Sequence, residues 1–172
     1  FQNIRLFHGL NCLENVQTTL DSCSNYNLLD ALLLTPRRRR EEKRTRLRAL
    51  EELQWVGLGD YVLENPENLS YGLQRKLEIA RALAADPKVL LLDEPAAGLN
   101  PREVQELTKL ILRIREERGM TILLIEHRLE LVMSISEVIY VQDFGQTIAV
   151  GSSAEVQQNP EVIRAYLGDE EE

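Results

Sequence analysis

Cysteine is scarce in this 172-residue chain: Cys12 and Cys23 are the two present, and they form no CxxC pair. That excludes a disulfide scaffold or a thiolate metal finger and leaves two reduced thiols of a cytosolic protein. Aromatic residues make up 5%, with a single tryptophan. No apolar run approaches the ~20 residues that a membrane helix needs, and no signal peptide is visible. Positive charge is the minority sign: 20 Lys and Arg against 28 Asp and Glu give a net charge of −8. An acidic balance argues against nucleic acid as the main partner. A phosphate loop of the GxxxxGK[ST] kind is missing throughout. The chain opens at Phe1 rather than at a methionine, and polar and apolar residues alternate from the start. The N-terminus is therefore read as cut.

What is there reads as an ordinary globular domain, 44% hydrophobic and 28% charged, long enough for one real core. Residues 8–68 are helix-like. Leu28, Ala31 and Leu32 mark one apolar face. Thr35 can cap the next helix, and Pro36 fits its first turn. The basic run Arg37–Arg40 is followed by Glu41-Glu42, so pairs such as Arg37–Glu41 make it a solvated face. A nucleic-acid or lipid-headgroup patch is the less favoured alternative. Leu47, Leu50, Leu53 and Val56 continue that helix at threefold spacing, Trp55 packs the helical region, and Gly57-Leu58-Gly59 ends it.

From residue 69 to 151 helix and strand alternate. Leu73, Leu77, Ala80 and Leu83 share one helix face, and Val89–Leu92 is a strand. Pro101 starts a helix carrying Val104, Leu107, Leu110, Ile111 and Ile114, and Gly119 stops it. Thr121–Ile125 is a strand apolar on both faces. Leu129, Val132 and Ile135 line a short helix. Val138–Val141 and Thr147–Val150 are strands joined around Asp143-Phe144-Gly145, and a last helix ends near Tyr166-Leu167-Gly168. Continuous apolar strands between helices predict an α/β fold with a buried, largely parallel sheet.

The most informative stretch is Leu69–Pro95, LSYGLQRKLEIARALAADPKVLLLDEP. Ser70 stands at a helix N-cap, and Gly72 keeps side-chain bulk away. A helix start offers free N–H groups and a positive dipole end to an anion. Asp86-Pro87 closes that helix. The strand that follows delivers Asp93 and Glu94 at its carboxyl end, where α/β sheets bind ligands. One carboxylate on Mg²⁺ and the next polarising a water is what phosphoryl transfer requires. Each feature alone has a plain reading, an ordinary N-cap or a strand-ending Asp that caps the next element. His127, after Glu126, ends the next strand at the same sheet edge, while His8 is read as structural.

Taken in order, Leu69–Gln74, Glu78–Leu83, Asp93-Glu94-Pro95, Ala97–Asn100 and His127 resemble the signature, Walker B, D-loop and switch histidine of ABC-type ATPases. Phe1-Gln2, with Leu6-Phe7 and Leu13–Val16, resembles the Q-loop and the helical segment after it. Tyr71 replaces the first glycine of the common LSGGQ, Leu73 replaces its glutamine, and Asn100 stands where many members have Asp. Lys76–Arg81, Glu94–Pro101, Asn159–Gly168 and the basic insertion after Thr35-Pro36 are similar to the branched-chain amino-acid importer type.

The resemblance implies an ABC-type P-loop NTPase core with a largely parallel sheet and an α-helical subdomain, truncated at the N-terminus. Its parts are a Q-loop segment (1–7), a helical subdomain (8–68), a catalytic α/β core (69–151), and C-terminal helices with an acidic tail (152–172). It further implies a transport-coupled ATP hydrolase with ATP and Mg²⁺ as cofactors. Glu94, His127 and Gln2 would be catalytic, and Asp93 and Gln2 would hold Mg²⁺. Ser70, Gly72 and Gln74 would reach the ATP of a partner subunit, while Gly98 and Asn100 would lie in the D-loop at the dimer interface.

Expected partners are a second ABC ATPase subunit, identical or homologous, transmembrane permease subunits and, indirectly, an extracytoplasmic solute-binding protein. The expected place is the cytoplasmic face of the plasma membrane. The chain alone, without a phosphate loop, is expected to be inactive. Alternatives are uptake of urea or another amide, lipopolysaccharide export, a soluble ABC ATPase of translation or DNA repair, and a non-catalytic regulatory remnant.

Overall fold

The computed structural model describes residues 5–22 and 35–167. Gln2, Cys23, the Leu28–Leu32 face and the tail from Gly168 lie outside the described residues. The chain divides into two compact units, Phe1–Ile125 and Glu126–Glu172.

The first unit starts with helix α1, Cys12–Ser22, and helix α2, Pro36–Trp55. Thr35 caps α2 by accepting from the Arg38 N–H at 3.4 Å, with Pro36 in the first turn as expected. The buried stripe of α2 is Thr45, Ala49, Glu52 and Leu53, followed by Val56. The threefold Leu47-Leu50-Leu53-Val56 reading drifts off that face, because a helix turns in 3.6 residues, and Leu47 is exposed. Glu41 pairs with Arg44 one turn on. After two short 3₁₀ turns comes helix α3, Tyr71–Leu83, which packs against α1 and α2. Leu77, Ile79, Ala80 and Leu83 bury its inner face.

Strand β1, Val89–Asp93, then helix α4, Pro101–Arg118, and strand β2, Thr121–Ile125, complete the unit. Gly119 ends α4 in the left-handed region at φ +60°, the conformation glycine adopts without strain. β1 and β2 pair in parallel, Leu91 opposite Leu123 and Asp93 opposite Ile125. Leu90 and Leu92 point into the unit and are buried. The opposite face is not covered as the apolar runs predict: Leu91 is 70% exposed and Leu123 58%.

The second unit carries helix α5, Leu129–Ile135, then the antiparallel strands β3, Ile139–Asp143, and β4, Gln146–Gly151. Helix α6, Ser153–Gln157, and a last helical segment from Pro160 follow. Ile139, Val141, Val156 and Val162 form its core, with Val132, Met133, Ile148 and Ala149 packed against them. Among the described residues the parallel pairing is therefore β1–β2, and β3–β4 is a hairpin.

Cys12 is buried, and burial with the nearby charge of Glu64 pushes its thiol up to about 11. The unfolded thiol ionises near 8.5, so the folded state holds this proton more tightly. The native Cys12 is expected to alkylate with iodoacetamide at pH 8 about a hundredfold more slowly than in denaturant, because the thiolate is the reacting form. Peptide mass spectrometry of the labelled chain measures this. Equal rates would overturn it.

Candidate functional site

Ser70 is an N-cap, as read from sequence: it is exposed, and its Oγ accepts from the Leu73 N–H at 3.4 Å. The loop ahead of it is held by Gln74, whose Nε2 donates to the Pro66 and Leu69 carbonyls at 3.0 and 3.1 Å. The Gln74 amide thus faces its own chain. Leu73 is half-buried.

Tyr71 and Gly72, at the start of α3, meet the loop after β1 and the first turn of α4. Tyr71 lies over Gly98: a Cβ built on Gly98 would sit 3.0 Å from the Tyr71 Cε1. Gly98 also has φ +75°, so two constraints select glycine there. The Gly72 N–H donates to Glu103 Oε1 at 3.3 Å, and a Cβ on Gly72 would come within 2.7 Å of that oxygen. Glu103 was not singled out from sequence. The signal was present in Asn100-Pro101-Arg102-Glu103, whose ends are spaced as a capping box. Asn100 Oδ1 accepts from the Glu103 N–H at 3.0 Å, and Glu103 Oε2 accepts from the Asn100 N–H at 3.1 Å. Lys76 reaches Glu106 on α4 at 2.8 Å, and this holds the Glu106 carboxyl below the usual range.

Asp93 is the last residue of β1 and is exposed. Glu94 follows, half-buried, its N–H donating to the Ile125 carbonyl at 2.8 Å. Glu94 has φ +44°. A non-glycine residue in the left-handed region costs roughly 1–2 kcal/mol, and such strain gathers at functional positions. The turn is closed by the Ala97 N–H donating to the Glu94 carbonyl at 3.1 Å, over the buried Pro95 and Ala96. The chain thus reverses directly after the carboxylate pair.

Among the described residues no three His, Cys, Asp or Glu side chains form a metal-holding group. Mg²⁺ does not require one: it takes one or two protein carboxylates and fills its shell with waters and substrate phosphates. Asp93 suits that donor set. His127 lies in the second unit, two residues beyond the end of β2, and is exposed. Its N–H and that of Arg128 both donate to Glu126 Oε2, at 3.1 and 3.3 Å. Gln2 is outside the described residues.

Residues 1–97 match the family described as ABC transporter. The chain belongs to that ABC family. Residues 146–172 match a second description, branched-chain amino acid ATP-binding cassette transporter. The high-affinity branched-chain amino acid transport ATP-binding protein LivG of Salmonella typhimurium is 45% identical over 169 residues. That alignment covers 98% of this chain and 66% of LivG, so the chain spans about two-thirds of the relative's length. Similar solved structures include two ATP-binding cassettes. The ATP-binding cassette MJ1267, in an ADP conformation, has a TM-score of 0.74 and 30% identity, covering 93% of this chain and 63% of that one. The cassette MJ0796, a dimer bound to ADP and phosphate after hydrolysis, has a TM-score of 0.70 and 27% identity, covering 89% and 61%. The ABC ATPase fold is thus the chain's fold, and among its described residues no helix is long and apolar enough to cross a membrane.

Proposed function

We propose that this chain is the larger part of an ATP-hydrolysing subunit of an ABC importer for branched-chain or related amino acids. The observation that carries the reading is the left-handed Glu94 at the end of β1, next to Asp93 and ahead of a tight turn. The LivG name and the C-terminal family match support the solute class. In this reading ATP binds with Mg²⁺, which neutralises phosphate charge, and Asp93 would hold that ion with Gln2. Glu94 orients and deprotonates the attacking water. His127 would stabilise the transferring phosphoryl group, a role that rests on motif order alone.

The dimeric MJ0796 cassette supports a two-subunit arrangement. There Ser70 and Gly72 would meet the γ-phosphate bound to the partner subunit, while Gln74 shapes the loop behind them. Gly98 and Asn100 would face the interface. The partner ATPase is a copy or a homologue. Permease subunits in the membrane and, through them, a solute-binding protein complete the assembly, with this subunit at the cytoplasmic face.

Three measurements test this. The 172-residue chain is expected to give no micromolar calorimetric binding of Mg-ATP, because it has no lysine and glycine loop to cradle phosphates. With the N-terminal residues of a LivG-type subunit joined ahead of Phe1, Mg²⁺-dependent ATP hydrolysis is expected, and crosslinking in cells should recover permease subunits. Recovery of ribosomes instead would favour a non-transport ABC ATPase.

A further inference from the structure

Glu103 makes two contacts, one more than a helix cap needs. One carboxylate oxygen closes the capping box at the start of α4, on the Asn100 N–H at 3.1 Å. The other leaves its own helix and accepts from the Gly72 N–H at 3.3 Å, 31 residues away in sequence. The approach is possible because Gly72 has no side chain: a Cβ would meet Oε1, Cδ and Cγ of Glu103 at 2.7, 2.9 and 3.0 Å. Beside it Tyr71 lies against Gly98, and Lys76 pairs with Glu106. The start of α3 is thus tied to the loop after β1 and to the first turn of α4, and Lys76–Glu106 joins the two helices one turn further on. A carboxylate at a helix start is a resident anion, held as a phosphate would be.

We infer that Glu103 is a built-in competitor for the partner subunit's γ-phosphate: it occupies the Gly72 N–H until the nucleotide of the second subunit displaces it. This rests on the proposed composite site and deepens it. One N–H cannot point at both anions, and a carboxylate beside an incoming phosphate repels it. Closure of the dimer must therefore turn Oε1 away from Gly72. Oε2 of the same carboxylate holds the Asn100 N–H, so arrival of phosphate at α3 is felt at the interface loop. Such a contact lowers apparent affinity in proportion to the fraction of subunits in which it is closed.

The test has two arms. Amide hydrogen exchange on the nucleotide-free 172-residue chain compares wild type with Glu103→Ala. Faster exchange is expected at both Gly72 and Asn100, with the β1 and β2 amides unchanged. Acceleration at Asn100 alone would make Glu103 an ordinary cap and overturn the inference. The second arm uses the subunit joined to LivG-type N-terminal residues and reads ATP-driven dimerisation by light scattering. Glu103→Ala is expected to lower the ATP concentration for half-dimerisation by about fivefold or more, the ordinary scale of coupling between sites. Glu103→Gln, which loses the charge but keeps one acceptor oxygen, should fall between. An unchanged or higher ATP requirement in Glu103→Ala would overturn the inference. A wild-type subunit that binds ATP without dimerising would instead sink the composite-site reading, and the exchange arm would still stand.

Discussion

Glu94→Gln is expected to reduce steady-state ATP hydrolysis by a hundredfold or more in the subunit joined to a phosphate loop, while nucleotide binding persists. General-base catalysis contributes typically about 10²–10⁴-fold, and glutamine keeps the length and shape of the side chain without its basicity. The substitution leaves the backbone hydrogen bonds of the turn in place, namely the Glu94 N–H to Ile125 and the Ala97 N–H to the Glu94 carbonyl. Loss of turnover would therefore report chemistry and not collapse of the loop. Asp93→Asn is the paired control. It removes the proposed metal carboxylate, so its activity should recover partly as Mg²⁺ is raised, whereas that of Glu94→Gln should not. Phosphate release and nucleotide trapping measure both. Turnover of Glu94→Gln within threefold of wild type would remove Glu94 from the role of base.

Much of this site was legible in sequence because its parts are local. Ser70 as an N-cap, Pro101 at a first turn and Gly119 at a helix end each follow from one residue's backbone preference, and the structure has all of them. Asp93 at the end of β1 followed from an apolar run that stops at a carboxylate. What stayed hidden depends on tertiary neighbours. The substitution of Tyr71 for a glycine looks like a defect of the signature until Gly98 is found beneath its ring. The ring lies where Gly98 has no Cβ to meet it. Gly72 read as space for a ligand, yet its nearest neighbour is Glu103, from a helix that begins 29 residues later. The left-handed backbone of Glu94 has no sequence signature, since glutamate rarely adopts it.

The same limit applies to the sheet. Apolar runs identified β1 and β2 and their parallel order, but hydrophobicity on both faces states only that cover is wanted. It does not supply the covering element, and Leu91 and Leu123 remain open on one side. In α2 the fault was one of period: residues three apart slip round a helix of 3.6 residues per turn, so Leu53 and Val56 are buried while Leu47 is in solvent and Glu52 inside. A buried glutamate on a helix that reads as basic is the feature composition would least suggest.

That glutamate leads to the largest expected stability effect. Arg118, at the end of α4, donates from Nη1 and Nη2 to the two oxygens of Glu52 at 3.0 and 2.8 Å. Glu52 is nearly fully buried, while the Arg118 side chain is 25% exposed. The guanidinium groups of Arg113 and Arg118 both lie 4.6 Å from the Trp55 ring, and the indole N–H donates to Glu117. Removing one partner of a buried pair costs about 3–5 kcal/mol when the other is left without water. The exposures make the two deletions unequal. Arg118→Ala strands a carboxylate inside and should cost about 3 kcal/mol, within that range. Glu52→Ala leaves a guanidinium that can turn to solvent and should cost nearer 2 kcal/mol, a buried side chain's worth of packing and hydrogen bonding. Glu52→Met, which fills the volume without charge, should be milder still, because an apolar isostere escapes the desolvation penalty. Trp55 is the single tryptophan, so its fluorescence through a urea titration follows the first unit without the second. Arg118→Ala within half a kilocalorie of wild type, or Glu52→Ala more damaging than Arg118→Ala, would show that the α2–α4 junction is held by packing alone and not by this pair.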